Sequence, residues 1–292
     1  VVEMAQAHRR LGSAVTIVEQ ATLLPKDDPE LVDVVRAQLL REGVTILEGA
    51  ALTKLDKTPA GVAATVDHAG KALVVAGSHL LLATGRKANV EALNLATAGV
   101  QAGPRGIETS AQLKTSNRKI YAIGDVNGRF PFTHAAGYHA GIVLRNALFR
   151  LPAKVDDRAM PWVTYTDPEL AQVGLTEVAA RERHGRVTAL RWPFHDNDRA
   201  QAERRTDGFA KVVLDQAGRI LGASIVGAHA GELAQPWVLA IANGLKIGAM
   251  AGMVAPYPTL GEINKRVAGS YYTPKLFNER TRKIVRFLLR LG

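Results

Sequence analysis

Cysteine is absent from this chain of 292 residues. That excludes a disulfide framework, a thiolate metal site and a catalytic thiol among these residues, and it fits a reducing cytoplasm. Aromatic residues make up only 5%, so the core has to be aliphatic, with Val and Ile on strands and Ala and Leu on helices. No run of about 18 consecutive apolar residues occurs, so no membrane-spanning helix is expected. There is no internal repeat and no low-complexity segment. The histidines lack metal-ligand spacing: His8, His68, His79, His184 and His195 stand apart, and His139 follows His134 by five positions, off the shared helical face. The chain also begins without Met, and Val1–Gly12 reads as an amphipathic helix closed by glycine rather than as a secretion signal. A chain seldom starts inside a helix, so residues upstream of Val1 are expected.

What is present is 47% hydrophobic and 22% charged, the composition of a soluble globular protein of about two domains. A net charge of +10 invites a nucleic-acid reading. Lys and Arg are scattered among acids, however, which points to a basic surface over an ordinary enzyme and to no nucleic-acid partner. Only the stretch from Lys275 onward is locally basic.

The first 88 residues alternate helix and strand. After the first helix comes a strand, Ala14–Glu19. Asp28 then caps a helix with Pro29 at its first position, running to Glu42–Gly43. Val44–Leu47 reads as a strand, as do runs around Leu52, Ala63–Val66 and Leu73–Val75. Leu80–Arg86 is nearly continuous in apolar residues, as buried parallel strands are. Lys119–Asp125 reads as another apolar strand, followed by a helix from about Thr133 to Arg150, and Leu151–Asp157 as a linker. From Met160 the pattern changes to clustered strands (162–165, 186–194, 209–214 and 220–226) with segregated helices, including a long one from Glu232 to Lys246. The fold class is therefore α/β, Rossmann-like nucleotide-binding units followed by an α+β domain.

Two acids stand where such sheets bind ligands. Glu19 closes a strand that follows a helix, a position from which a carboxylate accepts hydrogen bonds from adenosine ribose hydroxyls and repels the extra phosphate of NADP; an exposed strand-end acid is the alternative. Asp125, after Gly124, ends the apolar strand and faces the crevice at its carboxyl end, with a helix N-terminus at Thr133–His134 suited to an electron-rich ring edge; a turn-forming Asp is the alternative.

Several of these segments resemble the pyridine nucleotide-disulfide oxidoreductases. Thr115–Val126 is similar to that family's second flavin motif. Leu82–Asn89 is similar to its crossover from the NAD domain back to the FAD domain. Val2–Ala5 with Val15–Glu19 resembles its NAD-domain helix and strand, and Thr166–Thr176 the opening of its dimerisation domain. The order is the family's, over residues 1 to about 270. The resemblance implies an NAD(H)-binding domain at 1–88 whose first strand and glycine loop lie upstream, the C-terminal part of an FAD-binding domain at 89–157, a dimerisation domain at 158–272, and a basic amphipathic helix at 273–292. It further implies an FAD-dependent enzyme passing electrons from NAD(P)H, with NADH favoured, through flavin to a disulfide, metal ion or other small-molecule acceptor. Asp125, beside Gly124, would bind ribityl hydroxyls, the helix starting at Thr133 and His134 would face the flavin pyrimidine edge, Glu19 would hold the NAD ribose, and Gly85 and Arg86 would lie near the nicotinamide cofactor. A homodimer is implied as well.

The departures from the family pattern matter as much. The redox-active cysteine pair and first FAD loop are not within this chain, so these residues alone are expected to be inactive; a non-catalytic fragment serving only dimerisation or binding is the alternative. Where the family has His-Pro-Thr-x-x-Glu, this chain has Tyr257-Pro258-Thr259-Leu260-Gly261-Glu262. Mercuric reductases are similar to it there, but their C-terminal cysteine pair is absent. Tyr257 and Glu262 are the candidate catalytic pair, with dimer packing the alternative. The tail, Lys275–Gly292, reads as an amphipathic helix for an anionic membrane surface or for packing on protein.

Overall fold

The computed structural model describes residues 1–291. They separate into two compact units, Val1–Leu81 together with the chain from Pro161 on, and Leu82–Met160.

The first stretch opens with α1 (Val2–Arg10), which buries Val2, Ala5 and Gln6, and continues to β1 (Thr16–Glu19). Helix α2 (Pro29–Arg41) starts as its sequence dictates: the Asp28 carboxylate accepts from the Glu30 N–H at 3.1 Å, and Pro29 occupies a position where no N–H is needed. Its apolar stripe of Leu31, Val32, Val35 and Leu39 is buried. β2 (Thr45–Glu48) pairs parallel with β1, placing Glu19 opposite Glu48. An antiparallel meander follows, made of β3 (Ala50–Thr58), β4 (Gly61–His68) and β5 (Lys71–Gly77).

The apolar run Leu80–Arg86 departs from expectation. It forms no strand, and Leu81 and Leu82 are 60% and 69% exposed. A parallel strand exists only through hydrogen bonds to neighbours, and no described strand pairs with this run.

The unit Leu82–Met160 holds a short hairpin, β6 (Ala102–Gly103) with β7 (Gly106–Ile107), and α3 (Thr133–Ala147), which ends three residues before the expected Arg150. The expected strand Lys119–Asp125 is reduced to one bridge, Lys114 to Tyr121, and its end is a 3₁₀ turn, Gly124–Asn127. Small apolar clusters, Val100 with Ile107 and Ala122, and Leu113 with Ile142 and Ala153, hold the unit.

The last stretch contains a five-stranded antiparallel sheet: β8 (Pro161–Thr164), β9 (Glu169–Gly174), β10 (Thr188–Pro193), β11 (Phe209–Leu214) and β12 (Ile220–Gly227), in the order β10-β11-β12-β9-β8. Its helices are α4 (Glu177–His184), α5 (Asp198–Ala202), α6 (Ala230–Leu233), α7 (Gln235–Ala242), α8 (Ile247–Ala251), α9 (Glu262–Ser270), α10 (Thr273–Leu276) and α11 (Glu279–Leu288). The single helix expected over Glu232–Lys246 is instead divided between α6 and α7, with Pro236 in the first turn of α7. Proline has no N–H to donate and its ring clashes with the carbonyl four residues back. The tail is likewise two helices: the backbone turns at Phe277, and Asn278 caps α11 by accepting from the Thr281 N–H at 3.0 Å. Among the described residues no helix is long and apolar enough to cross a membrane.

The two stretches of the first unit share a core, in which α2 packs with Leu170, Phe209 and Val226 of the sheet. Polar links cross the same seam. The Gln6 amide donates to the Asp167 carbonyl and accepts from its N–H, both at 2.8 Å, and the Trp162 indole donates to Asp27 at 2.7 Å. At the centre lies Lys211, 3% exposed, with its ammonium 2.8 Å from Asp28, 2.7 Å from Glu177 and 3.1 Å from Glu30. Burial opposes this charge, but the hydrogen bonds to Asp28, Glu177 and Glu30 outweigh it and raise Lys211 above its ordinary value. Glu177 is held below its own, chiefly by Lys211.

The signs fix the working range. The lysine's contribution is complete below its ordinary pKa of 10.5, and that of Glu177 is complete above 4.5 and is lost as the pH falls below it. Lys211→Ala leaves Asp28, 2% exposed, as an unpaired buried carboxylate, so a loss of about 3–5 kcal/mol is expected. Denaturant unfolding of the full-length protein at pH 7 measures it, and a loss below about 1 kcal/mol would mean that the pin is not formed.

Candidate functional site

Glu19 lies at the carboxyl end of β1, half-buried, and its carboxylate accepts only the Ala21 N–H, at 3.0 Å, among the bonds found for it. Its neighbour Glu48 is occupied, accepting from Leu23 at 2.6 Å and from Arg36 at 3.0 Å. Of the two strand-end acids, Glu19 is thus the one with fewer donors on its carboxylate.

In the second unit, Gly124 takes φ +65°, and a Cβ there would come within 3.0 Å of the Ala136 side chain. The turn therefore closes directly onto the first turn of α3, where a larger side chain would be both strained and crowded. Asp125 follows on the surface, and Thr133 and His134 are exposed at the start of α3. Phe132, in extended conformation, precedes that helix and no side chain caps it. An exposed carboxylate beside an uncapped helix N-terminus suits a ligand carrying hydroxyls and an electron-rich edge, so these residues fit a flavin nucleotide. Asn127, buried, fastens the turn from within by donating to the Ala122 carbonyl at 3.3 Å and accepting from the Arg129 N–H at 3.1 Å. Gly85, at φ +119°, and Arg86 lie on an exposed, irregular segment of the same unit. A concavity of about 500 Å³ on this unit, lined by Ser110, Lys114, Thr115, Arg118 and Asn146, includes none of the expected site residues.

Tyr257 and Glu262 sit close in sequence but have separate partners. Tyr257, 67% exposed, donates its hydroxyl to Asp198 at 2.8 Å. Glu262, at the start of α9, is paired with Arg266 at 2.8 Å. The Tyr257 segment is tied to α5 a second time, through Asn197, which is buried and donates to the Thr259 carbonyl at 3.1 Å. The hydrogen bond to Asp198, followed by that carboxylate's charge, raises the Tyr257 phenol above its ordinary value of 10.0. Asp198 and Asn197 escape the sequence reading: they look like an ordinary helix start, and nothing local marks a reach to a residue 59 positions on. Among the described residues no group of three or more His, Asp or Glu is placed to hold a metal ion.

The parallel β1–β2 pair with its helices and the five-stranded antiparallel sheet with its helices are a Rossmann-like unit and an α+β unit. Comparison with known proteins gives the family. The model described as pyridine nucleotide-disulphide oxidoreductase matches residues 1–140, and the model of that family's dimerisation domain matches residues 160–268. The chain belongs to this family. It is 36% identical over 263 residues to a mercuric reductase of Staphylococcus aureus, covering 89% of this chain and 48% of that protein. It is 33% identical over 270 residues to a dihydrolipoyl dehydrogenase of Bacillus subtilis, covering 91% and 57%. Solved structures similar to it include LpdA from Mycobacterium tuberculosis, with a TM-score of 0.85 and 26% identity over 92% of this chain and 59% of that one. A second is the HOCl-induced flavoprotein disulfide reductase RclA from Escherichia coli, with a TM-score of 0.83 and 28% identity over 92% and 62%. The chain thus spans about half the length of the curated relatives it matches.

The Tyr257–Asp198 bond can be tested directly. Asp198→Ala should lower the Tyr257 titration toward 10.0, because the carboxylate is what favours the protonated phenol. The tyrosinate absorbance of the full-length protein, differenced against Tyr257→Phe, reads that midpoint. An unchanged midpoint would mean that the hydroxyl is free in solution.

Proposed function

We propose that the full-length protein is an FAD-dependent oxidoreductase of the cytoplasm, a homodimer through residues 158–272, that carries electrons from NAD(P)H, NADH preferred, to a small-molecule acceptor. The observation that carries this reading is the Gly124–Asp125 turn closed onto α3, within the segment that matches the family. Bound FAD would supply the two-electron chemistry that no side chain here can perform. Asp125, beside Gly124, holds the cofactor's sugar-chain hydroxyls, and the helix start at Thr133 and His134 favours negative charge on its ring edge. Glu19 takes the ribose hydroxyls of NADH and disfavours a 2′-phosphate. Gly85 and Arg86 border the nicotinamide cofactor. These four segments bind and orient, and Tyr257 with Glu262 faces the acceptor across the dimer.

The acceptor follows from Tyr257. Dithiol–disulfide exchange benefits from a group that both takes and returns a proton near neutral pH. A phenol held above 10.0 by Asp198 does neither well, and Glu262 is occupied by Arg266. Acceptors that need no proton shuttle, such as quinones, dyes or a metal ion, are therefore preferred. The deciding experiment measures flavin content, then kcat/KM with NADH and NADPH, and with lipoamide, glutathione disulfide, a quinone and mercuric ion. The expected result is bound flavin, NADH preference, poor disulfide turnover, and a gain of about tenfold or more with disulfides in Tyr257→His. Absence of flavin overturns the whole reading; disulfide turnover as fast in wild type as in Tyr257→His overturns the role of Tyr257.

The tail is the basis for a peripheral contact with anionic lipid. On α11, Ile284, Val285, Phe287 and Leu288 share one side and are 47–61% exposed. Arg282, Lys283 and Arg286 occupy the other, while Arg280 falls among the apolar residues at the helix start. A basic amphipathic helix of this kind lies in the plane of a membrane surface. Vesicles containing phosphatidylserine should pellet the protein at low salt and release it as salt is added. Failure to bind at low salt would leave packing against protein as the role of α11.

A further inference from the structure

One buried titratable group lies outside every role assigned above. His139, on α3, is fully buried, and its Nδ1 accepts the Gly124 N–H at 3.2 Å. Its Nε2 is buried and makes no hydrogen bond. A ring nitrogen that accepts cannot carry a proton, so the imidazole is in the neutral form with hydrogen on Nε2. The bond sits at the root of the candidate flavin turn. Gly124 is held at φ +65° against Ala136, its N–H is spent on His139, and Asp125 is the next residue. Of the two buried side chains that fasten this turn, Asn127 and His139, only the histidine can change charge.

We infer that His139 is a positioning residue for the flavin site: neutral, it anchors the Gly124 N–H and so sets the direction of Asp125, and its protonation releases the cofactor. The inference rests on the flavin reading above. A proton on Nδ1 sets two donors against each other at 3.2 Å, so the bond is lost and, of the two buried side chains that fasten the turn, only Asn127 still holds it. The surroundings fix the range of pH. Burial is the largest influence and disfavours the imidazolium; Asp157 favours it and Arg129 opposes it, these two being themselves an ion pair. His139 is thus held below its ordinary 6.5, the anchor is intact at neutral pH, and it is lost as the pH falls below that value.

The test follows release of FAD from the full-length flavoprotein, by the recovery of flavin fluorescence on dilution, between pH 7.5 and pH 5. Three forms are compared. Wild type should release FAD slowly at neutral pH and about three- to tenfold faster at acid pH, the worth of one hydrogen bond. His139→Asn keeps a short acceptor without a titrating group and should lose most of that pH dependence. His139→Leu removes the acceptor and should release rapidly at both pH values. A merely structural histidine would give variants that weaken while keeping the wild-type pH profile, and that result overturns the inference while leaving the flavin reading intact. A full-length protein that holds no FAD overturns both.

Discussion

The architecture depends on one buried charge. Lys211 projects from β11, an interior strand of the five, where a side chain would ordinarily be apolar, and it meets three carboxylates from two helix starts: Asp28 and Glu30 at the start of α2, and Glu177 at the start of α4. None of these groups has an easy alternative. Asp28 is buried because it caps α2, and a buried carboxylate without a cation is costly. The ammonium has no water to turn to. Glu30 extends the network to Arg191, whose guanidinium lies over the Phe209 ring. A seam of Leu, Val and Phe could slide by a turn or a strand register with modest loss. A lysine that must reach three acids cannot, so the pin specifies one arrangement of the N-terminal layers on the sheet. Glu19 inherits its position from that arrangement, because β1 is packed behind α2 in the same core.

What could be read in the sequence follows the range of the physics involved. Helix α2 is legible because Asp28, Pro29 and the Leu31–Leu39 stripe are all local signals, and the meander of β3, β4 and β5 because strand and turn residues alternate over a few positions. Leu80–Arg86 and Lys119–Asp125 have strand composition, yet composition does not supply a neighbour's hydrogen bonds. Pro236 was in plain view, and its consequence for the Glu232–Lys246 helix is a local rule outweighed by an attractive apolar pattern. The candidate site divides in the same way. Glu19 can be found from the strand it closes, whereas Asp125 is marked only by the local Gly-Asp pair, because the strand expected before it is not formed. Asp198 beneath Tyr257 and His139 beneath Gly124 are non-local, and only the fold brings them together.

These two non-local pairs put the same kinds of group to opposite electrostatic use. At the candidate flavin turn an imidazole serves as acceptor for the Gly124 N–H, which requires that nitrogen to stay unprotonated. At position 257, where the family pattern has an imidazole, a phenol stands instead, and its hydrogen goes to a carboxylate on α5 rather than to Glu262. That exchange moves the proton's energy in one direction only. A carboxylate beside an imidazole favours the charged, proton-carrying form of the ring; beside a phenol it favours the neutral form and discourages phenolate. The same electrostatic element therefore assists a base in one case and suppresses it in the other. Tyr257 is left as a hydrogen-bond donor held in its protonated form, poorly suited to taking up a proton.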